Sequence, residues 1–184
     1  MRSIISVFIL LLSACGTDMQ LRTVPLRSLH GNTTTIDPSK NALTVIYFLS
    51  PECPLCVNYS GAMKDLNQRF GNDSVRFYGV FSSEWYSTSD LEAFRSKYGL
   101  DIDLYFETEN QLSTALGATV TPEVFVLDRE GSVRYSGKID NWVNQLGKKK
   151  LAVSEHYLEN ALIALQNGRS IDPERTEAIG CLIE

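Results

Sequence analysis

Seven residues in a row, Leu43-Thr44-Val45-Ile46-Tyr47-Phe48-Leu49, are apolar, β-branched or aromatic, and none is charged. A run without polar alternation reads as a strand buried on both faces, which calls for a sheet with helices on each side. Ser50-Pro51-Glu52 breaks the run, and Cys53-Pro54-Leu55-Cys56 follows at once. From Pro54 onward apolar side chains recur at steps of three and four: Leu55, Tyr59, Met63, Leu66 and Phe70. That spacing predicts an amphipathic helix, ended by Gly71-Asn72-Asp73. Two cysteines therefore stand at the junction of a buried strand and a helix.

The flanking sequence fills in a single α/β domain. Val24 to Ile36 alternates around His30-Gly31-Asn32, the pattern of a β-hairpin. Val75 to Phe81 reads as a strand, and Ser87-Thr88-Ser89-Asp90 caps a helix carrying Leu91, Phe94 and Tyr98, closed by Gly99. Asp103 to Phe106 is a short strand and Asn110 to Leu116 a short helix. Glu123 to Leu127 is another strand, turned at Asp128-Arg129-Glu130-Gly131 into Ser132 to Ser136. Leu151 to Leu165 reads as the last helix, with Leu151, Leu158, Leu162 and Leu165 inward. The basic run Lys148-Lys149-Lys150 before it is a solvated helix start or loop. This order predicts a central mixed sheet flanked by helices, with an N-terminal β-hairpin. The domain is expected over residues 24–168, with 169–184 as a C-terminal tail.

The amino terminus reads as an address. Met1-Arg2-Ser3 is a short positive segment, and Ile4 to Leu12 is almost wholly apolar, the length of a signal core and too short to span a bilayer. It ends in Leu12-Ser13-Ala14-Cys15, which resembles a bacterial lipobox. That resemblance implies cleavage of residues 1–14, lipidation of Cys15 and a tether over 15–23. Lipid chains on Cys15 would anchor the protein to a membrane, facing the periplasm or exterior of the bacterial envelope. Disulfides persist there. With a net charge of −5, the chain offers no footing for a phosphate backbone, so nucleic acid is not an expected partner.

Pro54 suits the first helical position, which makes Cys53 the N-cap. A thiolate there can accept from the N–H groups of Leu55 and Cys56 and feels the positive end of the helix dipole, so its pKa falls. Cys56 lies one helical step on, within reach to close a disulfide and release a bound partner. Other readings stand beside this one: two inert buried thiols, a fixed disulfide, or half of a metal site whose further ligands could come only from Cys181, His30 or His156. Both histidines also read as ordinary hairpin-turn and helix-surface residues. Glu52, beside Cys53, opposes thiolate formation.

With strand, CxxC and helix in this order, the chain resembles the thioredoxin-like superfamily, most closely its exported redoxin and AhpC/TSA-like branch. Leu29-His30-Gly31 is similar to the turn of the hairpin that opens such domains. Val120-Thr121-Pro122 and Glu123 to Asp128 look like the cis-proline loop and its following strand. The resemblance implies that Pro122 lies against the cysteines and that the Thr121 backbone pairs with a partner chain. It implies thiol–disulfide exchange with envelope proteins, Cys53 attacking and Cys56 resolving, with no bound cofactor and no metal. Departures are visible. The strand before the site lacks a buried carboxylate, which leaves Glu123 as the candidate for proton transfer. Ser50 stands three residues before Cys53, as in peroxiredoxins, yet Ile46 occupies the proline position of that motif. A thiol peroxidase, or a copper carrier resembling the Sco proteins, is the alternative. Cys181, in Gly180-Cys181-Leu182, reads as a resolving thiol, a ligand, a disulfide partner or a free thiol on a flexible tail.

Overall fold

The computed structural model of the protein describes residues 24–83 and 85–183. The expected signal peptide, tether and Cys15 lie outside the described residues. β1 (Leu26–Ser28) and β2 (Thr33–Thr34) form the N-terminal hairpin. β3 (Leu43–Leu49) runs parallel to β4 (Val75–Phe81), which is parallel to β5 (Asp103–Glu107). On its other side β3 pairs antiparallel with β7 (Glu123–Asp128), and β7 with β8 (Val133–Gly137). One mixed seven-stranded sheet results, in the order β2-β1-β5-β4-β3-β7-β8.

The apolar run explains the layering. All of β3 is buried. Leu43, Val45, Tyr47 and Leu49 join a core with α1 (Pro54–Phe70), α2 (Thr88–Tyr98) and α4 (Tyr157–Gln166). Ile46 and Phe48, on alternate positions, meet Leu26 and α3 (Gln111–Leu116) on the opposite face. α1 buries Leu55, Tyr59, Met63, Leu66 and Phe70, each large side chain stabilising the fold by about 1.5–3 kcal/mol. Ser87 and Asp90 cap α2 reciprocally, and Gly99 ends it in the left-handed conformation that glycine adopts without penalty. The amides of Leu112 and Ser113 at the start of α3 donate to the buried Glu107 carboxylate at 2.7 and 2.9 Å, while the Ser82 hydroxyl donates to its other oxygen.

Two expectations change. The last helix begins at Tyr157, not Leu151, and Leu151 is fully exposed. The Asn141 side-chain oxygen accepts from the amides of Ser154 and Glu155 at 3.0 and 3.2 Å, which holds that stretch out of helix. Upstream of it Lys148–Lys149 (β10) folds back on Val143–Gln145 (β9) as a small hairpin, so the basic run is a strand rather than a helix start.

The tail is docked rather than loose. The Thr176 N–H donates to Ser136 O at 2.9 Å, and the Ser136 N–H donates to Glu174 O at 3.1 Å. The Thr176 hydroxyl lies 2.8 Å from Tyr135 Oη and accepts from Lys138 N–H at 2.8 Å. A Cβ on Gly137 would overlap Thr176, and its φ of +125° suits glycine alone. Further on, Cys181–Leu182 (β11) pairs antiparallel with Val120–Thr121 (β6). Among the described residues no helix is long and apolar enough to cross a membrane.

Candidate functional site

Cys53 is fixed from both sides of the strand–helix junction. Its N–H donates to Ser50 O at 3.2 Å and its carbonyl accepts from Val57 N–H at 3.2 Å. It is the N-cap of α1, with Pro54 in the first turn. The sulfur, however, makes no capping bond of full geometry to the helix amides. Two competitors draw it away: it lies 3.0 Å from the Thr121 carbonyl and 2.7 Å from Cys181 Sγ. Cys56 is wholly buried, and its sulfur accepts from Ser50 N–H at 3.4 Å.

The three thiols share one negative charge. Hydrogen bonding from Cys56 lowers the Cys53 pKa against the cost of burial, with a further contribution from the Cys181 thiol, and brings it to about 4. The Cys56 and Cys181 amides add smaller shares. The Thr121 carbonyl works the other way, because it accepts from a thiol and repels a thiolate. The downward direction rests on the two thiol donors. Burial, followed by donation to Cys53 and the proximity of its charge, pushes Cys56 well above its ordinary range. The same causes raise Cys181 to about 11.

The Thr121–Pro122 peptide is cis, as the resemblance implies. The Thr121 hydroxyl faces Cys56 and lowers its pKa, yet it falls short of hydrogen-bond geometry and has no partner among the described residues. Glu52 is exposed at the rim of a cleft that also takes in Ser50, Cys53, Tyr86, Thr121 and Cys181. The buried Glu123 carboxylate accepts from Thr119 N–H at 2.9 Å and Val120 N–H at 3.5 Å. These bonds hold the loop that delivers Thr121. His30 is exposed in the hairpin turn, and His156 is exposed at the N-cap of α4.

The Ser50 hydroxyl lies 2.9 Å from Tyr86 Oη, at the cleft that Cys53 lines. Among the described residues no three His, Cys, Asp or Glu side chains are disposed to hold a metal ion.

Sequence reasoning missed the Ser50 amide, Tyr86, the orphaned Tyr47 hydroxyl and Gly180. A Cβ at Gly180 would overlap the Thr121 backbone, so only glycine lets the tail approach there. The Gly-Cys doublet is the one signal that could have pointed to this contact.

The sheet order, the thiols at the start of α1 and the cis-proline loop define a thioredoxin-like protein. The chain belongs to the AhpC/TSA family, whose profile matches residues 17–136. No curated protein matches its sequence. Among solved structures it is similar to an uncharacterized conserved protein from Geobacillus kaustophilus, at 24% identity over 90% of this chain and 89% of that one, TM-score 0.77. A hypothetical protein from Sinorhizobium meliloti 1021 matches at 22% identity over 86% and 88%, TM-score 0.75. A secreted Mycobacterium tuberculosis disulfide oxidoreductase homologous to E. coli DsbE matches at 18% identity over 80% and 98%, TM-score 0.59.

Proposed function

We propose that this protein is a thiol–disulfide oxidoreductase of the bacterial envelope, lipid-anchored through Cys15. The observation that carries the reading is one sulfur, Cys53, at the mouth of α1, receiving hydrogen bonds from the neighbouring thiols and lying against the Thr121 carbonyl. The thiolate of Cys53 attacks a partner disulfide and releases one partner sulfur as thiolate. Cys56 then gives up its proton and attacks Cys53 Sγ. The Cys53–Cys56 bond forms, the mixed disulfide breaks, and the second partner sulfur leaves and is protonated. The partner is reduced by two electrons and the cysteine pair oxidised by two; the reverse sequence oxidises a partner dithiol. Envelope placement is supported by the signal-like segment and lipobox. The similar M. tuberculosis protein is described as secreted and as a disulfide oxidoreductase.

Insulin reduction with dithiothreitol as electron source tests the reading. Wild type should accelerate it and Cys53→Ser should not. Equal rates for the two would refute Cys53 as the attacking residue.

A further inference from the structure

Cys181 is 128 positions from Cys53 in sequence, yet their sulfurs lie 2.7 Å apart. The contact is built by backbone. Cys181 pairs with Thr121 and Leu182 with Val120, in antiparallel register, and the Ile183 N–H donates to Thr119 O at 3.0 Å. This is the edge that the proposed exchange lends to a partner strand. Two glycines make room for the tail, Gly137 beneath Thr176 and Gly180 against Thr121. Leu182 is left exposed, while Cys181 and Ile183 pack partly buried against the two cores, so the strand is held by its pairing and by those two side chains. With the tail in place only 1% of Cys53 is exposed.

We propose that the C-terminal strand is a tethered occupant of the partner groove and that Cys181 is a third exchange residue. The chain's disulfide then passes between Cys53–Cys56 and Cys53–Cys181. This rests on the dithiol reading above and adds a residue and a competitor to it. A partner reaches Cys53 only when the strand lifts. As the strand returns, Cys181 loses its proton and attacks Cys53 Sγ of the mixed disulfide. The Cys53–Cys181 bond forms and the partner sulfur leaves as a thiolate, which takes up a proton. Cys56 next attacks Cys53 Sγ and Cys181 leaves, the proton passing from Cys56 to Cys181. That last exchange changes no oxidation state and needs no outside reagent.

The test uses the purified full-length chain in a Cys15→Ser background, so that three thiols remain. Cys56→Ser is treated with glutathione disulfide and its disulfides are mapped by mass spectrometry. The expected product is a monomer that has lost two hydrogens, with Cys53 joined to Cys181 and no retained glutathione. In reduced protein, Gly180→Val should expel the strand and speed alkylation of Cys53 by iodoacetamide about tenfold, the equivalent of roughly one lost strand hydrogen bond. A stable glutathione adduct on Cys53 beside a free Cys181 overturns the proposal. So does an unchanged alkylation rate in Gly180→Val. Cys181→Ser separates the two layers. If it forms Cys53–Cys56 while Cys56→Ser stays adducted, the tail assignment fails and the dithiol stands. If it forms no Cys53–Cys56 bond, the dithiol reading fails and takes this one with it.

Discussion

Raising the pH should stabilise the reduced protein across the neutral range. Cys56 and Cys181 donate to Cys53, whose pKa falls from its ordinary 9.0 to about 4. Between those values the unfolded chain binds a proton that the folded chain does not, so stability climbs with pH. The gain is complete above the unfolded value and is lost as pH falls through the folded one. Cys56 and Cys181 are shifted upward; above the ordinary thiol range they bind protons that the unfolded chain has released, and the climb turns over. One proton sets a ceiling of about 1.4 kcal/mol per pH unit. The Thr121 carbonyl opposes the thiolate, which lifts the folded pKa and narrows that window; roughly one and a half pH units at the ceiling slope, about 2 kcal/mol, is the gain expected between about pH 5.5 and 8.5. Urea unfolding of the reduced chain, read against Cys53→Ser, which removes the Cys53 titration together with the part of the Cys56 and Cys181 shifts that Cys53 causes, measures it. The wild-type midpoint should rise by about 1 M relative to the variant. If the two chains keep a constant difference across the range, no thiolate is held at Cys53 and the account of its activation is refuted.

Tyr47→Phe should stabilise the fold by about 1 kcal/mol, because the wholly buried Tyr47 hydroxyl has no hydrogen-bond partner among the described residues; a lower melting temperature would mean the hydroxyl is satisfied. Met63→Ala removes a fully buried side chain between α1 and the sheet and should cost about 2–5 kcal/mol in chemical unfolding. Glu107→Ala strips the start of α3 and Ser82 of their shared acceptor and should cost about 2–3 kcal/mol, seen as early loss of amide protection in α3. Glu123→Gln keeps an oxygen for the Thr119 amide, so if that bond is the carboxylate's role the pH profile of insulin reduction should not move; a displaced profile would mark Glu123 as the proton carrier.

The strand, the cysteine pair and the first helix were legible because their signals are local. An apolar run, a proline and a 3.6-residue stripe lie within 28 consecutive residues, from Leu43 to Phe70. The start of α4 was not legible, because the Asn141 side chain that delays it is remote from the helix pattern. Glu123 is next to Pro122 in sequence, and adjacency could not show that its carboxylate accepts from the Thr119 and Val120 amides. Cys53 capping is only partial for a related reason: the Cys56 amide still acts on the sulfur, but a tail strand and a loop carbonyl, both distant in sequence, take its short contacts. The tail carries no apolar periodicity, so its docking was invisible until Gly137 and Gly180 were seen to lie beneath it.

The clasp of residues 174–176 on β8 has a consequence for association. β8 is the last strand of the sheet, and an uncovered border strand invites another molecule to continue the ladder. Ser136 already spends both its N–H and its carbonyl on Glu174 and Thr176. The opposite border, β2, is only two residues long. Both margins are therefore blunted against stacking with a neighbour, and a chain cut before residue 174 would bare one of them.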